Sequence, residues 1–267
     1  MRNLLSLQLK FEIFLWFDHQ KLCIAADPFR MEKTFDEKGA DSEGKKYKGL
    51  QELWQTEDKP EWYSKAVDAT VDGMLGGFAH ITTEDVKGSK MFLSEFISGK
   101  NGKKMNTTRA LDCGAGIGRV TKNLLLPLFD RVDLLEQNEA FVEKAREMLK
   151  DEKMGNFFAK GMQDFDFTEN RYDLIWIQWV AGHLSDKDFV EFFRRCQKAL
   201  LPDGIIVLKE NTTRKDGFIV DKTDSSITRS DSHLRQLFTE TGLKVLQVKV
   251  QPNFPKELFP VRMYALQ

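Results

Sequence analysis

The chain has little cysteine and little histidine for its length. Three cysteines in 267 residues, Cys23, Cys113 and Cys196, are too few and too scattered for a disulfide framework or a paired metal motif. The histidines at positions 19, 80, 183 and 233 show no H-E-x-x-H or related spacing, so no metal site is expected. Neither charge is in excess. Forty basic against 41 acidic residues leave a formal net charge of −1, which offers no global footprint for nucleic acid. Long hydrophobic runs are missing too. Leu4 to Phe17 is apolar, but Lys10 and Glu12 interrupt it. Its longest uncharged run, Asn3 to Leu9, is short for a signal-peptide core and far short of a membrane span. Cys23-Ile-Ala-Ala26 bears a faint likeness to a signal cleavage site, without the core that should precede one. These gaps predict a reducing compartment and no membrane insertion.

What is present suits one large α/β domain with additions, and 41 % hydrophobic residues can fill its core. Met31 opens a charged stretch, 32–48, with few apolar residues to bury, and the functional protein is expected to begin there. Residues 1–48 are therefore read as an atypical or disordered extension. Residues 49–98 are read as a helical cap, with short amphipathic helices at Leu50–Trp54 and Trp62–Val67. Thr82-Thr83-Glu84-Asp85 offers N-capping chemistry for a helix running to about Ser98. Residues 99–267 form the main domain. There, apolar strands at 109–113, 131–136, 157–158, 172–179 and 205–209 alternate with helical segments at 117–128, 139–149 and 186–200. A helix at 231–241, closed by Gly242, leads to two final strands, 244–250 and 261–266, with no helix between them. The pattern predicts a seven-stranded, mostly parallel sheet with helices on both faces and an antiparallel C-terminal hairpin.

The richest segment is Ala110-Leu-Asp-Cys-Gly-Ala-Gly-Ile-Gly-Arg119, which reads as a strand, a glycine turn and a helix start. Gly114, Gly116 and Gly118 permit positive φ and close backbone approach, and free N–H groups at a helix start attract anions. The reading D-x-G-x-G-x-G departs from the dinucleotide fingerprint G-x-G-x-x-G. It resembles the turn of S-adenosylmethionine-dependent methyltransferases. Ligands of such sheets lie at the carboxyl ends of the strands. Glu136, at the end of the second strand, can take two ribose hydroxyls, and Gln137 and Asn138 follow it. Met162 and Gln163, after the third strand, can meet an adenine ring and its amine. Gln178 interrupts an apolar strand and should have a ligand or backbone partner, because a buried amide without one costs ~1–3 kcal/mol. Arg119 can pair with the carboxylate of the cofactor's methionine part. Each also has a plainer reading, as a capping acid, a polar loop or a surface cation.

A wider likeness rests on several separated motifs. L-D-C-G-A-G-I-G-R, L-L-L-P-L-F, Y-D-L-I-W-I-Q-W-V-A-G-H-L, N-x-x-x-x-x-G and D-x-x-D-S-S-I-T-R together resemble the α-N-terminal protein methyltransferases, from about Trp62 onward. D-S-E-G-K-K-Y-K and E-L-F-x-V-R-M-Y-A-L point to their plant branch. The resemblance implies the class I methyltransferase fold and S-adenosyl-L-methionine as cofactor. It also implies protein substrates with a free Xaa-Pro-Lys N-terminus, a monomer, and work in cytoplasm and nucleus. It places Gly114, Gly116, Arg119, Glu136, Gln137, Asn138, Met162, Gln163 and Gln178 on the cofactor. Trp179, Asn211, Asp221 and Ser226 fall on the substrate, and His183 and Asp224 on catalysis. The chemistry is consistent. An α-amino group, with pKa ~7.7–8.0, is largely charged at neutral pH and must lose a proton before it can attack a methyl group. Imidazole, with an unperturbed pKa near ~6.5, is a suitable acceptor.

One departure stands out. The family's aromatic Tyr-Trp pair is expected soon after Tyr63-Ser64-Lys65-Ala66, yet Val67-Asp68-Ala69 runs directly into Thr70-Val71-Asp72-Gly73. Its absence predicts a weaker hold on cofactor and pocket. Two alternatives therefore stand beside the leading reading: a small-molecule methyltransferase on the same fold, and a catalytically weak protein that binds cofactor or peptide.

Overall fold

The apolar runs of the sequence become strands, and the strands make two sheets. A short pair, β1 (Gly39–Asp41) and β2 (Lys46–Tyr47), comes first. The main sheet uses β3 (Arg109–Cys113), β4 (Arg131–Glu136), β5 (Met154–Ala159), β6 (Tyr172–Gln178) and β7 (Leu200–Asn211). A hairpin of β8 (Phe218–Asp221) and β9 (Ser226–Arg229) follows. Strands β10 (Val245–Val250) and β11 (Val261–Leu266) close the chain. The computed structural model describes residues 38–41, 44–47, 67–100, 102, 104–221 and 226–267. All of these lie in the second of two units, Met1–Asp36 and Glu37–Gln267. The helix expected at 50–54 falls outside the described residues, as does all but Val67 of the one expected at 62–67.

The main sheet has the order β10-β11-β7-β6-β3-β4-β5. Its pairs are parallel from β7 through to β5, while β11 runs antiparallel to both β7 and β10. This is the expected arrangement, and strand order reverses between β3 and β6, where a crevice opens at the carboxyl ends. Every residue of β6 is buried, which is why its centre, residues 174–177, reads as an apolar run. Strand β7 begins earlier than expected. Its register against β6 jumps between Leu200 and Ile205, so the Pro202-Asp203-Gly204 turn becomes an irregularity inside the strand.

Five helices of the α type are named here in chain order: α1 (Val71–Met74), α2 (Thr82–Ile97), α3 (Glu139–Met148), α4 (Asp186–Ala199) and α5 (Asp231–Thr241). Side chains of Asn138, Ser185 and Ser230 accept N–H groups at the starts of α3, α4 and α5, and Gly242 ends α5 at φ +81°. The phenylalanine stripe of α4 packs as its spacing predicts: Phe189, Phe192 and Phe193 are buried, and Phe189 stacks on Phe193 at 4.2 Å. Two local readings change. The helix expected over 117–128 contains a π-helical stretch, Thr121–Leu125. At the start of α2, Thr82 and Asp85 do not cap. The N-cap is Ile81, with no side-chain bond, and Asp85 turns inward.

The second sheet, β2-β1-β8-β9, is the larger surprise. The stretch 32–48, expected to be unstructured, supplies β1 and β2, and β1 lies parallel to β8. Tyr47, Phe218, Val220 and Ile227 form a small core, and Asp41 accepts the Tyr47 hydroxyl at 3.2 Å and the Lys45 N–H at 2.9 Å. The apolar partners of β1 lie more than 170 residues downstream, so no local period announces them. A Cβ on Gly39 would lie 2.2 Å from the Phe218 ring. Gly39→Val should therefore detach β1 from β8 while leaving the main sheet intact. Hydrogen exchange followed by mass spectrometry checks this: amides of 218–221 should exchange about tenfold faster (~1.4 kcal/mol), with 109–113 unchanged.

Candidate functional site

The glycine loop leaves β3 at the point where strand order reverses. Gly114, Gly116 and Gly118 have φ of +65°, +56° and +83°. Their lack of a side chain is required by the protein itself. A Cβ would lie 2.5 Å from Val180 at Gly114, 2.6 Å from Met74 at Gly116 and 2.5 Å from Leu149 at Gly118. The loop's N–H groups are also engaged. Those of Gly114 and Ala115 donate to the Leu135 carbonyl, at 2.8 and 3.1 Å, and that of Gly118 donates to Ala115. The expectation of N–H groups open to an anion thus gives way, at Gly114, Ala115, Gly116 and Gly118, to a loop stitched onto β4 and onto itself. Beneath the loop Asp112 accepts the Thr121 hydroxyl at 2.6 Å, and burial pushes its carboxyl up to about 7.

Glu136 ends β4, as expected. Its oxygens accept N–H groups of Gly116 and Asn138, each at 2.9 Å, and a further backbone bond comes from Gln137. Burial raises its pKa against the pull of these donors. These three donors use three of the carboxylate's about four acceptor positions, so one hydroxyl can be accepted without breaking this frame, and a second must share an oxygen already engaged. Met162 is buried and Gln163 exposed. Arg195 fixes their loop by donating to the carbonyls of Met162, Gln163 and Phe165 at 3.0, 2.9 and 2.6 Å. Arg195 lies on α4, and no local signal links it to the site.

Gln178 has its partners, but neither is backbone. Its Oε1 accepts Trp176 Nε1–H, and its Nε2 donates to both oxygens of Asp85, all at 3.0 Å. Arg119 is buried, donates to Asp85 at 2.7 Å and lies 5.5 Å from the Trp179 ring centre. Lys209 forms an ion pair with Asp85 at 2.5 Å. Burial pushes the Asp85 carboxyl up, but the charges of Lys209 and Arg119 together hold it below the usual carboxylate range. Burial also lowers the Lys209 ammonium to about 8. Sequence reasoning singled out neither group: Asp85 reads as a capping acid, Lys209 as the end of a strand.

The other half of the site gathers beside the hairpin. Trp179 follows β6 at φ +54°, a costly conformation for a bulky residue. Its buried Nε1 has no partner among the described residues. His183 ends the turn Ala181–His183. A Cβ on Gly182 would lie 2.7 Å from the Ile227 carbonyl, so this turn rests directly on β9, beside Ser226. Asp221 and Ser226 are cross-strand partners, and Asn211 ends β7. Asp224 lies outside the described residues. Buried charges hold the turn. Glu210 accepts the Ala181 N–H at 3.2 Å, and burial pushes it up to about 7. Arg229 donates to the carbonyls of Ala181 and Leu184 at 3.1 and 2.6 Å and to Asp186 at 2.9 Å.

The strand order, the glycine loop and the carboxylate at the tip of β4 define an S-adenosylmethionine-dependent methyltransferase of the class I fold. The residues fit that cofactor, with a carboxylate that keeps one acceptor position free, a buried guanidinium and an apolar Met162 after successive strands. The chain belongs to the AdoMet-dependent proline di-methyltransferase family, whose model matches residues 52–267. It is 49 % identical over 246 residues to alpha N-terminal protein methyltransferase 1 of Dictyostelium discoideum, covering 86 % of this chain and 90 % of that one. It is 48 % identical over 219 residues to N-terminal Xaa-Pro-Lys N-methyltransferase 1 of Xenopus tropicalis, covering 79 % and 97 %. A solved S-adenosylmethionine-dependent methyltransferase from Leishmania major superposes with a TM-score of 0.80 at 44 % identity, covering 89 % of this chain and 98 % of that one.

The role of Glu136 is open to direct measurement. A hydrogen bond to a charged group contributes ~1.5–3 kcal/mol. Glu136→Gln should weaken S-adenosylhomocysteine binding about tenfold and Glu136→Ala about a hundredfold in calorimetric titration. Parental affinity in the folded alanine variant would remove Glu136 from the cofactor site.

Proposed function

We propose that this protein transfers methyl groups from S-adenosylmethionine to the free α-amino group of proteins whose N-terminus reads Xaa-Pro-Lys. When bound, the cofactor supplies an electrophilic sulfonium methyl group. Everything else is left to the chain. Glu136, with Gln137 and Asn138 framing it, holds the ribose, Met162 and Gln163 meet the adenine, and Arg119 and Gln178 face the amino-acid end.

His183 accepts the proton that the ammonium must lose, and Asp224 orients the amine. Asn211 and Ser226 hold the first peptide units, Trp179 walls the pocket, and Asp221 faces the lysine at the third position. Proline at the second position has fixed φ and no N–H, so a pocket can accept it without offering an acceptor. The single observation that carries this reading is the seating of the His183 turn on β9, between Trp179 and the hairpin that bears Asp221 and Ser226. The names of the Dictyostelium and Xenopus relatives support it. We propose also that the chain works as a monomer, in cytoplasm and nucleus, without nucleic acid or membrane. A net charge of −1 and the buried free thiols of Cys113 and Cys196 support that view.

Mass spectrometry of short peptides tests the substrate. Ser-Pro-Lys peptides should gain methyl groups, Ser-Ala-Lys peptides poorly and Ser-Pro-Glu peptides hardly at all. An N-acetylated peptide should be inert, because its nitrogen lone pair is delocalised into the amide. His183→Ala should cut turnover by ~10²–10⁴-fold with little change in cofactor affinity. Should the parental chain be slow, inserting a Tyr-Trp segment between Ala66 and Thr70 should raise its rate. Methylation of the lysine side chain in the blocked peptide, or inertness of both forms, would sink the reading.

A further inference from the structure

Asp85 ties together four elements. It lies on α2 and meets Arg119 from the segment after the glycine loop, Gln178 from the end of β6 and Lys209 from β7. Exposures of Asp85, Arg119, Gln178 and Lys209 are 1, 6, 7 and 0 %. The Lys209 ammonium donates also to the Asp85 carbonyl at 3.0 Å, to Ser89 Oγ at 2.9 Å and to Gln251 Oε1 at 2.7 Å, so its donors are all used inside the protein. An apolar cluster of equal volume is often as stable as such a buried ionic one. Stability alone therefore does not account for it.

Charge accounts for it better. The Asp85–Arg119 pair is neutral and, by itself, gives an incoming carboxylate little to attract it. Lys209 brings the cluster to a formal +1. A buried surplus charge is costly, and an anion beside Arg119 relieves that cost. A second buried carboxyl that Arg119 acts on, Asp112, is committed to Thr121 and pushed toward neutrality by burial.

We propose that Asp85 and Lys209 are positioning residues for the methyl donor: Asp85 anchors Arg119 and Gln178 toward its amino-acid end, and Lys209 supplies the positive charge that Asp85 would otherwise cancel. The proposal rests on Arg119 meeting the cofactor carboxylate. The two residues then act in separable ways. Lys209→Met leaves Arg119 anchored but the cluster neutral. Asp85→Asn loses the anchor and gains no charge, because Lys209, without its counter-ion, is driven further toward the uncharged amine in the same dry site.

Two ligands distinguish this from a structural role. S-adenosylhomocysteine carries the amino-acid group, whereas 5′-methylthioadenosine has the same nucleoside without it. Calorimetric titration of the full chain should show both variants at least about tenfold weaker for S-adenosylhomocysteine, with 5′-methylthioadenosine affinity within about twofold of parental. In an Arg119→Ala background the Asp85→Asn effect on S-adenosylhomocysteine should shrink to the part carried through Gln178. Circular dichroism establishes that each variant is folded. If Lys209→Met is not, Asp85→Asn, nearly the same shape, carries the test by itself. Equal losses for both ligands would mean a structural role and overturn the proposal, as would unchanged S-adenosylhomocysteine binding in both variants. If Arg119→Ala weakens the two ligands alike, the assignment of Arg119 itself fails, independently of Asp85.

Discussion

A carboxylate stays ionised in an apolar interior only where cations and donors surround it, and Asp85 is surrounded on every side. The consequences spread outward from that requirement. Helix α2 must lie across the strand ends so that Asp85, in its first turn, reaches the ends of β6 and β7. Arg119 must fold back from the glycine loop instead of reaching into solvent. Gln178 can interrupt a strand that is otherwise apolar because its amide finds the same carboxylate. Gln251 closes the far side, accepting from Lys209 and donating to the Glu84 carbonyl, and a Cβ on Gly88 would strike it at 2.3 Å. The segment before the main domain is thereby bound to the domain by polar as well as apolar contacts.

A second set of buried charges does comparable work around residues 180–184. Glu210 takes the N–H at the start of that turn and Arg229 takes its carbonyls, so groups exposed by leaving regular structure are satisfied without water. Asp186 joins Arg229 to His233 on α5, at 2.9 Å to each. The turn that carries His183 is thus fixed from β7, from β9 and, through Asp186, from α5. The proposed role of His183 as a base would draw on such support, since orientation is a large part of catalysis.

The sequence made the scaffold legible because scaffold signals are local. Alternating apolar runs, the phenylalanine stripe of α4 and the turn at Gly242 each sit within a few residues of what they specify. The proposed cofactor positions were reached for a related reason: Glu136 and Gln178 stand at strand ends, and strand ends are where such sheets bind ligands. What escaped depended on distant partners. Asp85 looked like a capping acid because its cations lie 34 and 124 residues further on. Strands β1 and β2 looked like linker because Phe218, Val220 and Ile227 complete their core. The glycine loop was half understood. Its positive φ values follow from the motif, but its packing against Val180, Met74 and Leu149 is a property of the assembled fold.

Trp179 combines an unfavourable backbone with a polar atom buried without a partner among the described residues. Strain of this kind costs ~1–3 kcal/mol. Glycine would relieve it at once, and asparagine in part. Any selection acting on durability alone would therefore erode the indole, whereas the proposed part of Trp179 in walling the pocket would have selection on turnover retain it. In a library sorted first for heat resistance and then for methylation, position 179 should be where the two screens disagree most. The residue standing there in an unfamiliar relative then serves as a marker of which pressure that chain has lived under.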